Sequence, residues 1–131
     1  MNASRKDWHA VLVDDEPDML YSLKLALRKD FAAIHTFSDA REALSFLQDR
    51  QDPTLLIVDL IMPALGGVDL LEKLHAQGWR FPAIVLSASQ DRDLMLRCQQ
   101  VGAEVILQKP VCAEVLQETI ENVIVSQRER L

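Results

Sequence analysis

Short, uninterrupted apolar segments rich in β-branched residues constrain the fold of this chain more than any other feature of its sequence. Four of them have the length of a β-strand and occupy residues 10–13, 55–58, 83–86 and 105–107. Because they are continuous rather than alternating, both faces of each strand should be covered, which is typical of a parallel sheet between two layers of helices. A weaker segment, residues 32–37, suits an edge strand.

Between these segments, apolar residues recur at intervals of three and four, which predicts five amphipathic helices. Residues typical of helix ends support these helices: Pro17 in a first turn, Asp39 as an N-cap three residues before Glu42, and Gly78 and Gly102 after the third and fourth helices. Strand and helix alternate five times. This order predicts a doubly wound α/β domain with helices on both faces of the sheet.

Length and charge limit the possible classes of protein. The chain has 131 residues, 49% of them hydrophobic, which is enough for one sizeable core. Its net charge is -6 without a Lys/Arg cluster, so nucleic acid is not expected to bind this segment. No apolar run reaches the roughly 18 residues that span a bilayer, and residues 1–8 lack the apolar stretch of a secretory signal.

We therefore expect a soluble, cytoplasmic protein with no membrane partner. The sequence contains no internal linker or repeat, so we expect one domain over residues 1–131 with its core at about 9–125. Residues 126–131 are polar and charged apart from Leu131 and are a candidate linker to a further segment.

Cysteine and histidine residues provide no predicted site. Cys98 and Cys112 are too few and too far apart for a zinc site or a disulfide framework, so we expect ordinary thiols that are at least partly buried. His9, His35 and His75 lie in three different segments without a second ligand at metal spacing. We interpret each as a packing or surface residue.

Polar side chains follow four of the predicted strands at their carboxyl ends, the edge at which open α/β sheets bind ligands. They are Asp14 and Asp15 after the first strand, Asp59 after the third, Ser87 after the fourth and Lys109 near the end of the fifth. Each residue alone also fits a local role, such as an N-cap, a loop hydroxyl or a surface charge. Their convergence at four strand ends favours a functional site.

The charges at this edge indicate its chemistry. Three carboxylates repel each other, and Lys109 supplies a single positive charge to compensate. The remaining excess of negative oxygen suits Mg²⁺, which prefers carboxylate, carbonyl and water ligands. A metal ion, an ammonium group and a hydroxyl together neutralise and orient a transferring phosphoryl group, and an aspartate can accept that group as an acyl phosphate.

Five segments resemble the receiver domain of two-component response regulators. They are VLVDDE at 11–16, VDLIMP at 58–63 with Gly67, LSA at 86–88, GA at 102–103 and KP at 109–110. The resemblance extends over about residues 9–125. It implies a flavodoxin-like (βα)5 fold whose five parallel strands have the order 2-1-3-4-5.

The resemblance implies a role for each acidic residue. Asp59, which ends the central strand, would be the phosphoacceptor. Asp15 would bind Mg²⁺ directly, whereas Asp14 would bind it mainly through water. The backbone carbonyl of Ile61, two residues after the acceptor, would be the third protein ligand.

The resemblance also implies which residues bind the phosphoryl group. Lys109 would contact a phosphoryl oxygen, and Ser87 would turn its hydroxyl toward the group once it is present. Pro110 is expected to follow a cis peptide bond that helps to aim the loop. Many receivers have Tyr or Phe three residues before the lysine, but this chain has Ile106. We therefore expect that movement of the Ser87 hydroxyl is coupled differently to the side chain at position 106.

The implied function is phosphorylation of Asp59 by a sensor histidine kinase, followed by a shift of the face formed by the fourth helix, fifth strand and fifth helix, roughly residues 91–125. A partner or an output domain would read that face, and two copies could pair through it. The domain would be no enzyme beyond its own phosphorylation and dephosphorylation.

Three alternatives remain. A flavin-binding module would bring a phosphate to residues 14–17, whose three carboxylates would repel it. A phosphohydrolase would need a second carboxylate close behind Asp59, and residues 60–64 contain none. A receiver could also act as a constitutive docking module that never switches.

Overall fold

Five parallel strands form one sheet in a computed structural model of the protein, which describes residues 5–130 and the side chains of residues 6–127. The strands are β1 (His9–Val13), β2 (Ala33–Phe37), β3 (Thr54–Asp59), β4 (Ala83–Ser87) and β5 (Ala103–Gln108). The helices are α1 (Pro17–Leu27), α2 (Ala40–Leu47), α3 (Gly67–Ala76), α4 (Arg92–Gln100) and α5 (Ala113–Arg130), and a short 3-10 helix, Arg5–Asp7, precedes β1. The predicted strands and helices are thereby confirmed.

The strand order is β2-β1-β3-β4-β5, as the sequence resemblance implied, and every neighbouring pair is parallel. β2 lies at one edge, as predicted, and β5 lies at the other. β3 is buried along its whole length. Its continuous apolar sequence therefore reflects burial on both faces.

Alternate strand residues contribute to two separate hydrophobic cores. Val11 and Val58 pack in the core that includes residues of α2, α3 and α4. Leu12 and Ile57 pack on the opposite face, in the core that includes residues of α1 and α5. The two layers of helices predicted from the sequence are confirmed.

The helix ends follow the signals predicted from the sequence. Asp39 is the N-cap of α2, and its Oδ1 accepts a hydrogen bond of 2.8 Å from the backbone N–H of Arg41. Gly78 and Gly102 follow α3 and α4 with positive φ angles of 79° and 103°.

The prediction that Cys112 is at least partly buried is wrong. It is exposed because it immediately precedes α5, outside the sheet.

Within residues 5–130, no helix is both long enough and apolar enough to cross a membrane.

Candidate functional site at the carboxyl edge of the sheet

The sheet brings the predicted site residues to one edge. Asp59 and Ser87 are the last residues of β3 and β4, and Asp14 and Lys109 directly follow β1 and β5. Backbone hydrogen bonds extend the pairing just beyond the strands, for example the 2.8 Å bond from the Lys109 N–H to the Ser87 carbonyl. The site residues are thus held by rigid backbone rather than by long loops.

The three carboxylates form one cluster. One oxygen each of Asp14, Asp15 and Asp59 lies within 4.8 Å of the others. Asp14 and Asp59 are buried, with 1% and 7% of their surface exposed, whereas Asp15 is exposed. Buried carboxylates this close together repel each other unless a cation lies between them.

Lys109 is the cation that contacts this cluster. Its Nζ lies 3.2 Å from Oδ2 of Asp14 and 3.2 Å from Oδ1 of Asp59. Glu16 brings a further carboxylate, with Oε1 at 3.7 Å from the same nitrogen. One ammonium group therefore contacts three carboxylates, Asp15 lies beside them as a fourth, and the site retains an excess of negative charge.

The charge balance changes the acidity of both main partners. Burial raises the pKa of Asp59 above its ordinary value, the charge of Asp14 raises it further, and Lys109 opposes the increase only in part. Burial acts to lower the pKa of Lys109, but its hydrogen bond to Asp14 and the charge of Asp59 outweigh burial and raise it. The ionised Asp59 is thus under-compensated by the protein alone, which is the environment expected of a carboxylate that binds a further cation.

Asp14 has two contacts that hold it in place. Its Oδ1 accepts a hydrogen bond of 3.0 Å from the backbone N–H of Glu16, and its Oδ2 accepts one of 3.2 Å from Lys109. The N-cap position of α1 belongs to Glu16, which makes no capping hydrogen bond through its side chain. The alternative role of Asp14 or Asp15 as the N-cap of α1 is therefore not observed.

Ser87 is buried at the end of β4, and its hydroxyl is engaged in the following loop. Ser87 Oγ donates to the Ser89 carbonyl at 3.1 Å and accepts from the Ser89 N–H at 3.0 Å. The Gln108 amide also donates to the Ser89 carbonyl, at 3.5 Å. In this arrangement the hydroxyl holds the β4–α4 loop rather than contacting Asp59.

The loop after β3 passes close to Asp59. A Cβ atom at Gly67 would lie 2.4 Å from the carbonyl oxygen of Asp59, so only glycine fits this close approach. The Gly67 N–H donates to the Leu60 carbonyl at 2.9 Å, which closes the loop. Ile61, whose carbonyl was predicted to bind a metal, lies in this loop with its side chain 59% exposed.

Two further predicted positions lie on or beside β5. Ile106 is partly buried and packs against the core that includes residues of α4. The peptide bond between Lys109 and Pro110 is cis. Neither Ile106 nor Pro110 contributes to the ion pairs around Lys109.

Two contacts made by the described residues were not predicted from the sequence. Ser89 anchors the hydroxyl of Ser87, and only a prediction of the loop conformation could have found this bond. His9 and His35, interpreted separately, lie on neighbouring strands with Nδ1 and Nε2 3.1 Å apart. The parallel register between β1 and β2 would have indicated this pair.

The fold and the site together define a class of protein. A five-stranded doubly wound domain with buried aspartates and one lysine at the carboxyl edge has the architecture of a receiver, the regulated domain of two-component signalling.

Comparison with known sequences gives the family. The chain matches the family described as "Response regulator receiver domain" over residues 10–121, and it belongs to that family. The C4-dicarboxylate transport transcriptional regulatory protein DctD of Pseudomonas aeruginosa is 28% identical over 114 residues, which cover 87% of this chain and 24% of that protein. Response regulator RppA of Synechocystis sp. is 32% identical over 108 residues, which cover 81% of this chain and 46% of that protein.

A solved structure has the same fold. The crystal structure of a CheY-like response regulator receiver domain protein from Methanospirillum hungatei JF-1 matches with a TM-score of 0.87 and 23% identity, covering 94% of this chain and 98% of that one. The chain therefore matches the whole of a receiver domain but spans less than half of either regulator named above.

Proposed function

We propose that this receiver accepts a phosphoryl group on Asp59 from a phosphohistidine of a sensor histidine kinase, and that this charge controls a partner or an output domain. The observation that carries the proposal is the cluster of Asp14, Asp15 and Asp59 within 4.8 Å, with Lys109 Nζ at 3.2 Å from the Asp59 carboxylate. Asp59 is the acceptor because it ends the central strand and contacts the lysine.

The chemistry needs one nucleophile and charge compensation. A carboxylate oxygen of Asp59 attacks the phosphorus, the bond from phosphorus to the donor's imidazole nitrogen breaks, and the imidazole leaves with the electron pair and takes a proton from solvent. The product is an acyl phosphate on Asp59. Lys109 neutralises a phosphoryl oxygen while remaining close to the carboxylate, and Ser87 donates its hydroxyl to another oxygen after releasing Ser89.

The donor set fits Mg²⁺. Three clustered carboxylates with one nearby ammonium group leave a negative excess, and oxygen ligands of this kind suit a hard divalent cation. Asp15 and Asp59 would bind the ion directly, together with the Ile61 carbonyl, and Asp14 mainly through water. Bound Mg²⁺ would neutralise charge that builds up on the phosphoryl oxygens.

The output surface is the face formed by α4, β5 and α5. Leu96 on α4 and Val115 on α5 are 55% and 46% exposed, so apolar side chains are available there for a partner or a second copy. Ser87 links the acceptor to this face, because its hydroxyl holds the loop that leads into α4. DctD and RppA are much longer than a receiver domain, which supports an output domain attached to this one.

The direct test is mass spectrometry after treatment with acetyl phosphate and Mg²⁺. We expect one phosphoryl addition, which is lost in Asp59→Asn and without Mg²⁺. The matched control is Asp18→Asn, which removes an exposed aspartate of α1 and should leave the addition unchanged. Addition that persists in Asp59→Asn would refute the assignment of the acceptor.

This experiment and a turnover assay with a phosphate ester separate two of the alternatives. A constitutive docking module would show no addition under any of these conditions. A phosphohydrolase would release more than one equivalent of product per protein from a phosphate ester. The proposed receiver undergoes one addition per chain, and hydrolysis then returns Asp59 to its free form.

A further inference from the structure

A polar cavity lies at the opposite edge of the sheet, where the strands begin. We refer to it as the amino-edge cavity. It has a volume of about 120 Å³ and lies between the α2–β3 and α3–β4 connections. Its polar lining residues are Gln48, Arg50 and Gln51 from the first connection and Gln77, Trp79 and Arg80 from the second. None of the proposed phosphorylation residues contributes to it.

Arg50 is held in a fixed position in this cavity. Its Nε donates to Oγ1 of Thr54 at 3.2 Å, and its guanidinium carbon lies 4.7 Å from the centre of the Phe46 ring. Its side chain is only 16% exposed. A guanidinium group that is already oriented and partly stripped of water binds an anion with a smaller loss of entropy than a mobile surface arginine.

Two buried donors of the lining residues lack an acceptor among the residues that the structure describes. They are Nη2 of Arg50 and the indole Nε1 of Trp79. The carboxylate of Asp52 lies 3.6 Å from this Nη2, which is too far for a hydrogen bond, and its side chain is 70% exposed. Buried donors without an acceptor are uncommon in folded proteins, and because both atoms have almost no accessible surface, a ligand oxygen would reach them only after a movement of the lining side chains.

The charges of the residues that line the cavity indicate an anionic ligand. Among the described residues that line the cavity, two are arginines and none carries a carboxylate, although the whole chain has a net charge of -6. Asp52 is a competitor for Arg50, but an exposed, poorly aligned ion pair contributes little. The volume of the cavity is about that of four water molecules in the liquid, at roughly 30 Å³ each. A space of this size suits a small polyatomic ion rather than a nucleotide.

We propose that the amino-edge cavity is a binding site for a compact oxyanion, that is, a phosphate or carboxylate group. Arg50 provides the oriented charge, Trp79 provides a neutral N–H donor, and Arg80 adds an exposed charge at the surface of the site. The glutamine amides complete the set of donors.

The test is an NMR titration of the full chain, because the two tryptophans give two indole N–H signals. Trp79 lines the cavity, whereas Trp8 is buried in the core that includes residues of α1 and α5, so Trp8 is the internal control. Inorganic phosphate and acetate are titrated separately at constant ionic strength. Magnesium is omitted so that phosphate does not gather at the acidic site.

We expect the Trp79 signal to shift saturably with a dissociation constant in the millimolar range, while Trp8 stays in place. Arg50→Lys keeps the charge but removes the fork of donors and should weaken binding about tenfold. Arg80→Gln, at an exposed residue that can be changed without loss of the fold, should weaken it severalfold. Arg28→Gln removes an exposed arginine at the end of α1 and should have no effect.

The two probes identify the group, because tighter binding of phosphate or of acetate shows which oxyanion the site prefers. Three results would overturn the proposal: no saturable shift of Trp79 with either anion, equal shifts of Trp8 and Trp79, or unchanged affinity in Arg80→Gln. The first result would leave the assignment of Asp59 untouched, because phosphorylation is measured at the other edge of the sheet.

Discussion

Nζ of Lys109 lies 3.2 Å from Oδ1 of Asp59 and 3.2 Å from Oδ2 of Asp14, so this lysine holds the two buried carboxylates side by side. Without it, two buried carboxylates would face each other uncompensated. We expect Lys109→Gln to lower the free energy of unfolding by about 2 kcal/mol in the absence of Mg²⁺, a value reduced from that of a fully buried pair because the site is partly open.

Urea unfolding measures this loss, and a double-mutant cycle assigns it to the ion pair. In the Asp59→Asn background, the same Lys109→Gln substitution should cost clearly less, because one of the two carboxylates is already neutral. Equal costs in both backgrounds would show that Lys109 stabilises the fold by packing rather than by charge.

The ionised carboxylate of Asp59 should lower the stability of the folded protein. Burial and the charge of Asp14 raise its pKa, so the folded state disfavours the ionised carboxylate at neutral pH compared with the unfolded chain. We expect Asp59→Asn to raise the free energy of unfolding by about 1 kcal/mol at neutral pH without Mg²⁺, as for other functional sites that sacrifice stability.

Added Mg²⁺ should reduce the difference in free energy of unfolding between Asp59→Asn and the wild type, because only the wild-type cluster has all three carboxylates to bind the ion. Thermal unfolding of both proteins with and without Mg²⁺ provides the comparison. A less stable Asp59→Asn variant would mean that the Lys109 contact outweighs burial and repulsion at this carboxylate.

Gly67 is required by the close approach of its backbone to that of Asp59. A Cβ atom there would lie 2.4 Å from the Asp59 carbonyl oxygen and 3.0 Å from Cα of Leu60, and neither is a flexible side-chain atom that could move aside. Gly67→Ala should therefore destabilise the protein by about 2–3 kcal/mol and slow phosphoryl incorporation.

Gly66→Ala is the matched control for this substitution. Its nearest neighbour would be the Leu60 carbonyl at 3.4 Å, an ordinary contact, and the φ of Gly66 is -79°, which alanine adopts freely. We expect a change of less than about 1 kcal/mol by chemical denaturation. Similar losses in the two variants would contradict the close approach as the cause.

The sequence predicted the features that recur from strand to strand, namely the apolar strands and the polar residues at their ends. Continuous apolar strands and polar residues at their ends are enough to predict a parallel sheet with a site at its carboxyl edge, because strand direction alone brings Asp14, Asp59 and Lys109 together. The strand order came from the resemblance, since local patterns carry no information about which strands are neighbours.

Contacts that depend on side-chain orientation could not be predicted. The hydroxyl of Ser87 bonds to Ser89, two residues along the loop, and nothing in their residue types specifies that geometry. The pair of His9 and His35 requires both the parallel register and the face of each strand. The exposure of Cys112 depends on where α5 begins, the least predictable property of a helix.

His35, whose Nε2 lies 3.1 Å from Nδ1 of His9, should make stability depend on pH. Burial lowers the pKa of His35, and the charges of Arg50 and His9 lower it further, so its folded value lies below the ordinary 6.5. Between these two values the unfolded chain binds more protons. The free energy of unfolding should therefore fall as the pH drops below 6.5 and approaches the folded value.

His35→Gln should reduce this dependence, and urea unfolding at a series of pH values from neutral to mildly acidic measures it. His75→Gln, at an exposed histidine of α3, is the control and should keep the wild-type slope. If His75→Gln reduced the slope as much as His35→Gln, the partly buried His35 would not be its source.

Ile106 occupies the strand position at which many receivers have an aromatic side chain, and we predict that it matters for packing but not for phosphoryl transfer. It pairs with Val85 in the sheet, packs against the core that includes residues of α4, and has no polar atom on its side chain to bind a phosphoryl oxygen. Ile106→Ala should lower the free energy of unfolding by about 2 kcal/mol, because this side chain is only partly buried.

The same Ile106→Ala variant should take up phosphoryl groups from acetyl phosphate within about twofold of the wild-type rate, since the proposed acceptor Asp59, Lys109 and Ser87 are unchanged. Ser87→Ala provides the contrast: it removes a donor to the developing charge and should slow incorporation about tenfold. If a folded Ile106→Ala protein lost incorporation as Ser87→Ala does, the side chain at this position would belong to the acceptor site. The aliphatic residue would then have a direct part in the chemistry rather than in how the α4–β5–α5 face responds.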